Sequence, residues 1–422
     1  MKQIEADLAS NQFQELENLL ISMKDIFKKE DEYLYTLSRF YYNTQHTDKA
    51  ISYIQKSSDQ KPNKINYLEL KADCYLQNNQ FQEAINTYQG IIPMLKKYLQ
   101  IIDSDKTRFH YASLLFKNAN CNTYVNDDDD DQNAYEVAIS VYNKLLQKDF
   151  DEVTLKNYAD NFLKTSLVSA EKNEYQIAFQ YRKIQILFLK KILEQNRSEE
   201  YLEKYYKSLW NTSYYAQRQK KFEISLDFRE KCIFIIEELL TKDRNEKILL
   251  EYQKSLKASS YYAGKNDNYE KAKIYAQKSM LIAEELLDMK RNKENLIVYS
   301  SAVESVFCVA GKFKDYNTFL EFANKGIVIG KELISEFNDP EAILGTYLSI
   351  SWYQLENHRF KYAILTTEEG LKIDPENMSL ATNQAHGYLL SNQFEKAKSI
   401  YSKYKGKTKK DSKCYVSHYL NQ

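Results

Sequence analysis

The sequence is short of the residues that interrupt regular structure. Its 422 residues include only nine glycines and four prolines, which leaves few turn signals for a β-rich fold. The five cysteines lie far apart, with no CxxC pair and no Cys/His spacing of a zinc site. This cysteine pattern indicates a reducing compartment and no structural metal. Basic and acidic residues are both 59, giving zero formal net charge, which argues against a dedicated nucleic-acid-binding protein.

Long apolar runs are missing too. No stretch approaches the ~18 residues that a membrane-spanning helix needs. Residues 1–16 have neither the basic segment nor the apolar segment of a signal peptide. We therefore predict a cytoplasmic protein that has no membrane partner.

Catalytic and ligand-binding motifs are also scarce. The five histidines are scattered, and the chain has no HExxH, no GxGxxG and no phosphate-binding GxxxxGK[ST] sequence. Cys308 lies in the apolar segment VESVFCVAGKF and is expected to be a small buried hydrophobe rather than a nucleophile. The consecutive acids at 127–131 suit a solvated loop, because a calcium-binding EF-hand needs alternating ligands and a glycine. We predict no enzyme activity, no cofactor and no metal site.

The sequence does contain a strong internal repeat. Near the two ends, an aromatic position recurs every 34 residues, as at Phe360 and Phe394, with alanine three residues later. Through the middle the step is 47 residues. It is shared by two aromatic columns and by one column of quartets. The aromatic columns are Tyr175, Phe222, Tyr269 and Tyr316, and Tyr181, Phe228, Tyr275 and Phe322; the quartets are KKIL, EELL, EELL and KELI, which begin at residues 190, 237, 284 and 331. A shared period of this kind predicts a stacked array of repeated units.

The 34-residue units resemble tetratricopeptide repeats. One unit carries the small, tyrosine, aromatic, alanine, tyrosine order at Ala72, Tyr75, Phe81, Ala84 and Tyr88. The central units add 13 residues and are similar to the long-helix variants of kinesin light chains and bacterial signalling proteins. The resemblance implies an all-α α-solenoid, a right-handed superhelix of about ten helix-turn-helix units, in which alanines and tyrosines pack between helices.

The domain organisation follows from the change of period. The chain is expected to form one solenoid over residues 1–422. We predict 34-residue units at 1–98, long-helix units at 99–343 with an acidic loop at 125–133, 34-residue units at 344–411 and a C-terminal cap at 412–422.

The resemblance also implies a concave binding groove. In this family the second, fifth, sixth and ninth positions of each first helix usually point into the groove. That register selects Lys207, Trp210, Asn211, Tyr214, Lys254, Lys257 and Tyr261, with Trp352 and His386 at later ninth positions. Lysines beside aromatics suit an extended acidic peptide. The aromatic side chains can equally well pack between helices, so both interpretations stay open for them.

The leading hypothesis is a non-catalytic protein-interaction scaffold or adaptor that binds peptide segments in this groove. The alternative is a ligand- or partner-responsive regulator, such as a regulator of a caspase-like or other effector in a bacterial signalling or defence system. A chaperone-tail adaptor is disfavoured, because only Asn211 and Lys254 match its five clamp positions. We predict a protein or acidic-peptide partner and no nucleic acid; the sequence does not indicate an oligomeric state.

Overall fold

The computed structural model describes residues 2–125 and 130–405, with side chains from residue 12 onward and a further side-chain gap at 126–134. Within these ranges the chain forms nineteen α-helices and one short 3-10 helix, and no β-strand. The predicted all-α repeat architecture is confirmed. The proposed cap at 412–422 and residues 126–129 of the acidic loop lie outside the described residues.

The chain divides into two compact units, residues 1–162 and 163–422. Helices of the first unit contact their successors in chain order from α2 to α7. They are α1 (Lys2–Ser22), the 3-10 helix (Lys24–Ile26), α2 (Glu30–Asn43), α3 (Thr47–Gln60), α4 (Ile65–Gln77), α5 (Phe81–Ile101), α6 (Asp105–Val125), α7 (Asp130–Leu145) and α8 (Glu152–Glu171), whose last turns belong to the second unit.

The second unit continues the same succession, each helix from α9 onward contacting the next. Its helices are α9 (Tyr175–Gln195), α10 (Glu199–Arg218), α11 (Phe222–Lys242), α12 (Glu246–Lys265), α13 (Tyr269–Met289), α14 (Lys293–Lys312), α15 (Tyr316–Phe337), α16 (Glu341–Glu356), α17 (Phe360–Ile373), α18 (Met378–Leu390) and α19 (Phe394–Lys403). Helices pair as hairpins from α2/α3 to α18/α19, and the even-numbered member is called the first helix below.

Eight hairpin turns share one backbone feature. A residue two positions before the second helix has a positive φ, between 54° and 64°. These residues are Gln45, Asn79, Asn173, Lys220, Asp267, Lys314, His358 and Asn392. The aromatic columns that include Phe222 and Phe360 therefore mark the first residue of a second helix. The second helices α3 and α7 differ, because they begin at Thr47 and Asp130.

Replacing Lys220 with glycine is expected to stabilise the protein. A lysine at φ 60° brings its Cβ close to the following carbonyl oxygen, a strain that glycine avoids. Part of this gain is lost to the greater freedom of glycine in the unfolded chain. We expect the free energy of unfolding to rise by up to about 1 kcal/mol in urea denaturation. Asn173→Gly is the matched control and should give little or no gain, because asparagine tolerates this conformation.

A serine side chain joins the two helices of several hairpins. Its hydroxyl donates to a carbonyl twelve residues later, on the second helix. The four pairs are Ser38 with Ala50 at 2.9 Å, Ser166 with Ala178 at 3.0 Å, Ser213 with Ser225 at 2.7 Å and Ser260 with Ala272 at 2.8 Å. Such a short side chain reaches a backbone carbonyl only when the helices are close. The small residue three positions after the start of each of these second helices permits that approach.

The 47-residue units are wider versions of the 34-residue unit. The first helix lengthens from 13 residues in α4 to 20 in α10, and the second from 14 in α3 to 21 in α11. Each of the two helices is seven residues longer, and the linker between hairpins is one residue shorter. Together these changes account for the 13 extra residues. Seven residues are nearly two full turns and rotate a helix face by only about 20°. The added turns therefore continue the same buried stripe.

Arginine–glutamate pairs connect successive long hairpins. The guanidinium that follows one second helix contacts a carboxylate on the next second helix. The Nε to Oε1 distances are 2.8 Å for Arg197–Glu238, 2.6 Å for Arg244–Glu285 and 2.9 Å for Arg291–Glu332. Each pair also forms a second contact through Nη2, the two-bond geometry that suits guanidinium and carboxylate. The 47-residue period thus appears on the surface as well as in the core.

Candidate binding groove

The first helices of four successive hairpins line one cavity. Helices α12, α14, α16 and α18 contact each other in that order, and the cavity between them has a volume of about 800 Å³. Gly264 and Gly345 lie in its wall, and a Cβ atom at either position would meet nothing within 4 Å. These two glycines therefore contribute open space. The cavity lies entirely within the second unit.

One row of side chains crosses the cavity from helix to helix. Tyr261, Cys308, Trp352 and His386 come from α12, α14, α16 and α18 in turn, and all four line it. Burial lowers the pKa of His386, which favours its neutral form at pH 7. Burial also raises the pKa of the Cys308 thiol well above its ordinary value, and Glu304 adds to the effect. The thiolate, the nucleophilic form of cysteine, is therefore disfavoured here.

Glu304 supplies a carboxylate one helical turn before Cys308. Burial raises its pKa, while the charge of Lys257 and a hydrogen bond from Ser349 oppose that rise. The Ser349 hydroxyl donates to Oε1 over 3.4 Å, a long hydrogen bond. The carboxylate therefore lies in a desolvated place with little direct compensation.

The opposite end of the cavity is rich in lysine. Lys265 ends α12 and Lys312 ends α14, and Lys314 follows in the hairpin turn. The Lys265 ammonium lies 5.7 Å from the centre of the Tyr261 ring. Lys312 donates to the carbonyl of Gly264 and to Asp267 Oδ1, the latter over 2.9 Å. This end can attract a negatively charged group.

Of the residues that the sequence selected, the cavity includes Tyr261 together with Trp352 and His386. The other selected residues lie outside its lining, on α10 and on the preceding turns of α12. They are Lys207, Trp210, Asn211, Tyr214, Lys254 and Lys257.

The selected lysines are already engaged. Lys207 contacts Glu203 Oε2 at 2.8 Å, and Lys254 contacts Glu251 Oε1 at 2.9 Å, each within its own helix. Lys257 donates to the hydroxyl of Ser301 on α14. The two ion pairs are exposed, and such pairs are individually weak, so a ligand carboxylate can compete for these lysines.

Trp210 packs against a buried arginine. The Arg229 guanidinium lies 4.6 Å from the centre of the Trp210 ring. The Tyr214 ring stacks with Trp210 at a distance of 6.2 Å between ring centres. Arg229 is only 2% exposed, and its Nε and Nη1 have no hydrogen-bond partner; neither has the indole Nε1. Trp210 therefore belongs at least partly to the packing between α10 and α11.

Glu304 was missed by the sequence reasoning, although the sequence held a signal for it. It lies 47 residues after Lys257, which occupies the fifth position of the repeat register, and Cys308 lies 47 residues after Tyr261. The same register selects both residues, but neither is a cation or an aromatic.

Two further findings concern membrane spans and metal-binding groups. None of the helices in residues 2–125 and 130–405 has the length and apolar content that crossing a bilayer requires. Over the same ranges, no three His, Cys, Asp or Glu side chains come together as a metal-binding group.

Comparisons with known proteins agree with the helical hairpins. Residues 13–91 match the family model described as anaphase-promoting complex, cyclosome, subunit 3. Over these residues the chain resembles the tetratricopeptide-type repeats of that family. No curated protein matches this chain by sequence.

Solved structures similar to this repeat protein include three of the Rap type. The apo form of RapI is 14% identical, with coverage of 89% of this chain and 96% of that one and a TM-score of 0.39. Aspartyl phosphate phosphatase F from Bacillus subtilis is 13% identical, with coverage of 89% and 92% and a TM-score of 0.37. A Rap protein complexed with competence and sporulation factor is 12% identical, with coverage of 89% and 96% and a TM-score of 0.35.

Proposed function

We propose that this protein is a non-catalytic scaffold that binds a segment of a partner protein along the inner face of its first helices. The observation that carries the proposal is the cavity lined by α12, α14, α16 and α18. Its volume of about 800 Å³ is within the range of ligand-binding sites. Because four repeats contribute to one cavity, the stacking of hairpins itself creates the site.

The side chains of the cavity suit a peptide. Tyr261, Trp352 and His386 offer flat rings that lose little rotamer entropy on binding, and Ser349 and Asn383 add groups able to bond a peptide backbone. The lysines on α10 and α12 support a partner segment that is acidic overall, since their exposed ion pairs can exchange for ligand carboxylates.

A non-catalytic role is supported by the state of the titratable groups. Burial disfavours the thiolate of Cys308 and the protonated form of His386. Glu304 has its pKa raised, but the hydrogen bond that it accepts from Ser349 spans 3.4 Å, longer than in an activated nucleophile–base pair. The cavity is therefore better suited to recognition than to bond cleavage.

Replacing Trp352 and His386 together with alanine is expected to weaken capture of the partner strongly. Trp352 is 39% exposed, so its loss should remove contact area while leaving the hairpin core intact. In affinity capture from the native host followed by mass spectrometry, we expect a decrease of roughly 30-fold, the effect of losing one interface hot spot. Circular dichroism and thermal melting must first match the wild type.

Two further variants complete this test. Tyr362→Ala is the matched control, because Tyr362 is an aromatic residue of α17 that is 61% exposed and lies outside the cavity. The variant Lys207→Glu/Trp210→Ala/Lys254→Glu reports whether binding extends to α10. A partner retained by all variants would place the interface on another surface. If a small molecule or RNA co-purifies with the protein and no partner protein does, the scaffold proposal is refuted.

A further inference from the structure

The cavity has opposite charges at its two ends on a single helix. Glu304, Cys308 and Lys312 follow at intervals of four residues in α14, and all three line the cavity. Residues four apart lie on the same helix face. With a rise of about 1.5 Å per residue, the Cα atoms of Glu304 and Lys312 are separated by about 12 Å along the helix.

The Glu304 carboxylate can bind a positively charged group of a ligand. No described residue forms an ion pair with its carboxylate, and its hydrogen bond from Ser349 is long. The nearest cation that affects it is Lys257, and that ammonium donates to Ser301 instead. A carboxylate in a desolvated wall gains most from a hydrogen-bonded cation, because charge-assisted hydrogen bonds are the strongest kind.

The lysine-rich end of the cavity can bind a negatively charged group of a ligand. Lys265, Lys312 and Lys314 line the cavity together with Glu356, and Asp267 contacts Lys312. Only Lys312 is paired with Asp267, which is itself highly exposed. The three lysines outnumber the two acids, so the local field favours an anionic group of the ligand.

The geometry points to a dipolar peptide as the occupant: we infer that an extended partner segment places one lysine or arginine side chain at Glu304 and one carboxylate at Lys265 and Lys312. An extended chain advances about 3.3 Å per residue, so a span of about 12 Å separates these residues by roughly three to four positions. The inference rests on the proposed function and refines it. Within a segment that is acidic overall, a single basic residue is required.

Selection from a random linear peptide library displayed on phage tests this inference on the full chain. With wild-type protein, we expect enriched peptides to carry a basic residue three or four positions from an acidic one. Glu304→Gln should remove the enrichment for basic residues. Lys265→Met/Lys312→Met should remove the enrichment for the acidic residue and keep the basic one. Glu294→Gln is the control, since Glu294 is an exposed residue of the same helix outside the cavity.

A synthetic copy of the most enriched peptide gives a quantitative measure. By fluorescence anisotropy, Glu304→Gln should weaken its affinity about ten-fold or more, the value of one charge-assisted hydrogen bond, and Glu294→Gln should not change it. Peptides selected without a basic residue, or equally by Glu304→Gln and wild type, would overturn the dipolar inference and leave peptide binding intact. If Trp352→Ala/His386→Ala selects the same peptides as wild type, both this inference and the proposed function fail.

Discussion

Replacing Gly330 with alanine is expected to lower the free energy of unfolding by about 2 kcal/mol, within the usual cost of overpacking a core. Gly330 lies in α15, where it faces Ile343 of α16. A Cβ atom at position 330 would lie 2.5 Å from the Cβ and 2.9 Å from the Cα of Ile343. Because one of these atoms belongs to the backbone, a rotamer change cannot relieve the clash, and the two helices must move apart.

The column that contains Gly330 shows why glycine is needed there. At steps of 47 residues it reads Leu189, Ile236, Ala283 and Gly330, and the first three are also buried. The side chain becomes smaller toward the point where the long hairpins give way to the shorter α16/α17 pair. The approach of α16 to α15 thus depends on the absence of a side chain.

Gly90→Ala is the matched control for this prediction. Gly90 is also inside a helix, but a Cβ atom there would meet nothing within 4 Å. The better helix propensity of alanine should raise stability by up to about 1 kcal/mol. Urea denaturation followed by circular dichroism measures both variants. If Gly330→Ala stabilises the protein as Gly90→Ala does, the close contact of α15 and α16 is wrong.

Replacing Arg229 with methionine is expected to raise the free energy of unfolding by about 2 kcal/mol. Nε and Nη1 of its guanidinium are buried without hydrogen-bond partners, and burial of an ionised group in this way carries a large desolvation cost. Apolar replacement of buried charges often stabilises proteins by about 1–4 kcal/mol. The cation–π contact with Trp210 offsets only part of that desolvation cost. Methionine keeps the length of the side chain and a favourable contact with the indole ring. Ala276 and Ala323 occupy the equivalent positions of the next two long hairpins, so an apolar residue fits this column.

Arg182→Met provides the comparison, because Arg182 is equally buried and differs in its partners. It lies 47 residues before Arg229, and it donates to Ser166 over 3.1 Å and to Gln185 over 2.9 Å. These bonds offset its burial, so its replacement should change stability by less than about 1 kcal/mol. Chemical denaturation of both variants decides the matter. If Arg229→Met lowers the free energy of unfolding by as much as Arg182→Met changes it, or by more, then Arg229 has a stabilising partner.

The fold was predictable because its repeat leaves marks at every level of the sequence. The aromatic at Phe222 or Tyr269 begins a second helix, and the serine or alanine three residues later lies where the paired helices are closest. The backbone conformation of the hairpin turns was harder to predict from the sequence. Nothing in the residue type of Lys220 or Lys314 indicates a positive φ; the hairpin imposes it, and only the alignment with Asn79 and Asn173 reveals the position.

The candidate site was predictable in its register but not in its interactions. The ninth-position row of Tyr261, Trp352 and His386 follows from counting residues along first helices. Whether a charged side chain remains available to a ligand depends on its neighbours in space. Lys257 turns to Ser301 of another hairpin, and Glu304 is left with Ser349 of a third, contacts that join residues more than 40 positions apart.

The seven-residue extension of the long hairpins has a consequence for how such a protein can change in size. Adding hairpins lengthens the row of repeats, whereas adding a heptad to both helices of a hairpin enlarges it by about 10 Å at right angles to that row. The two kinds of growth are independent, because the heptad preserves the contact faces and the hairpin turn with its left-handed residue is unchanged. Within the second unit the first helices therefore differ in depth, with 20 residues in α10, α12 and α14 but 16 in α16 and 13 in α18.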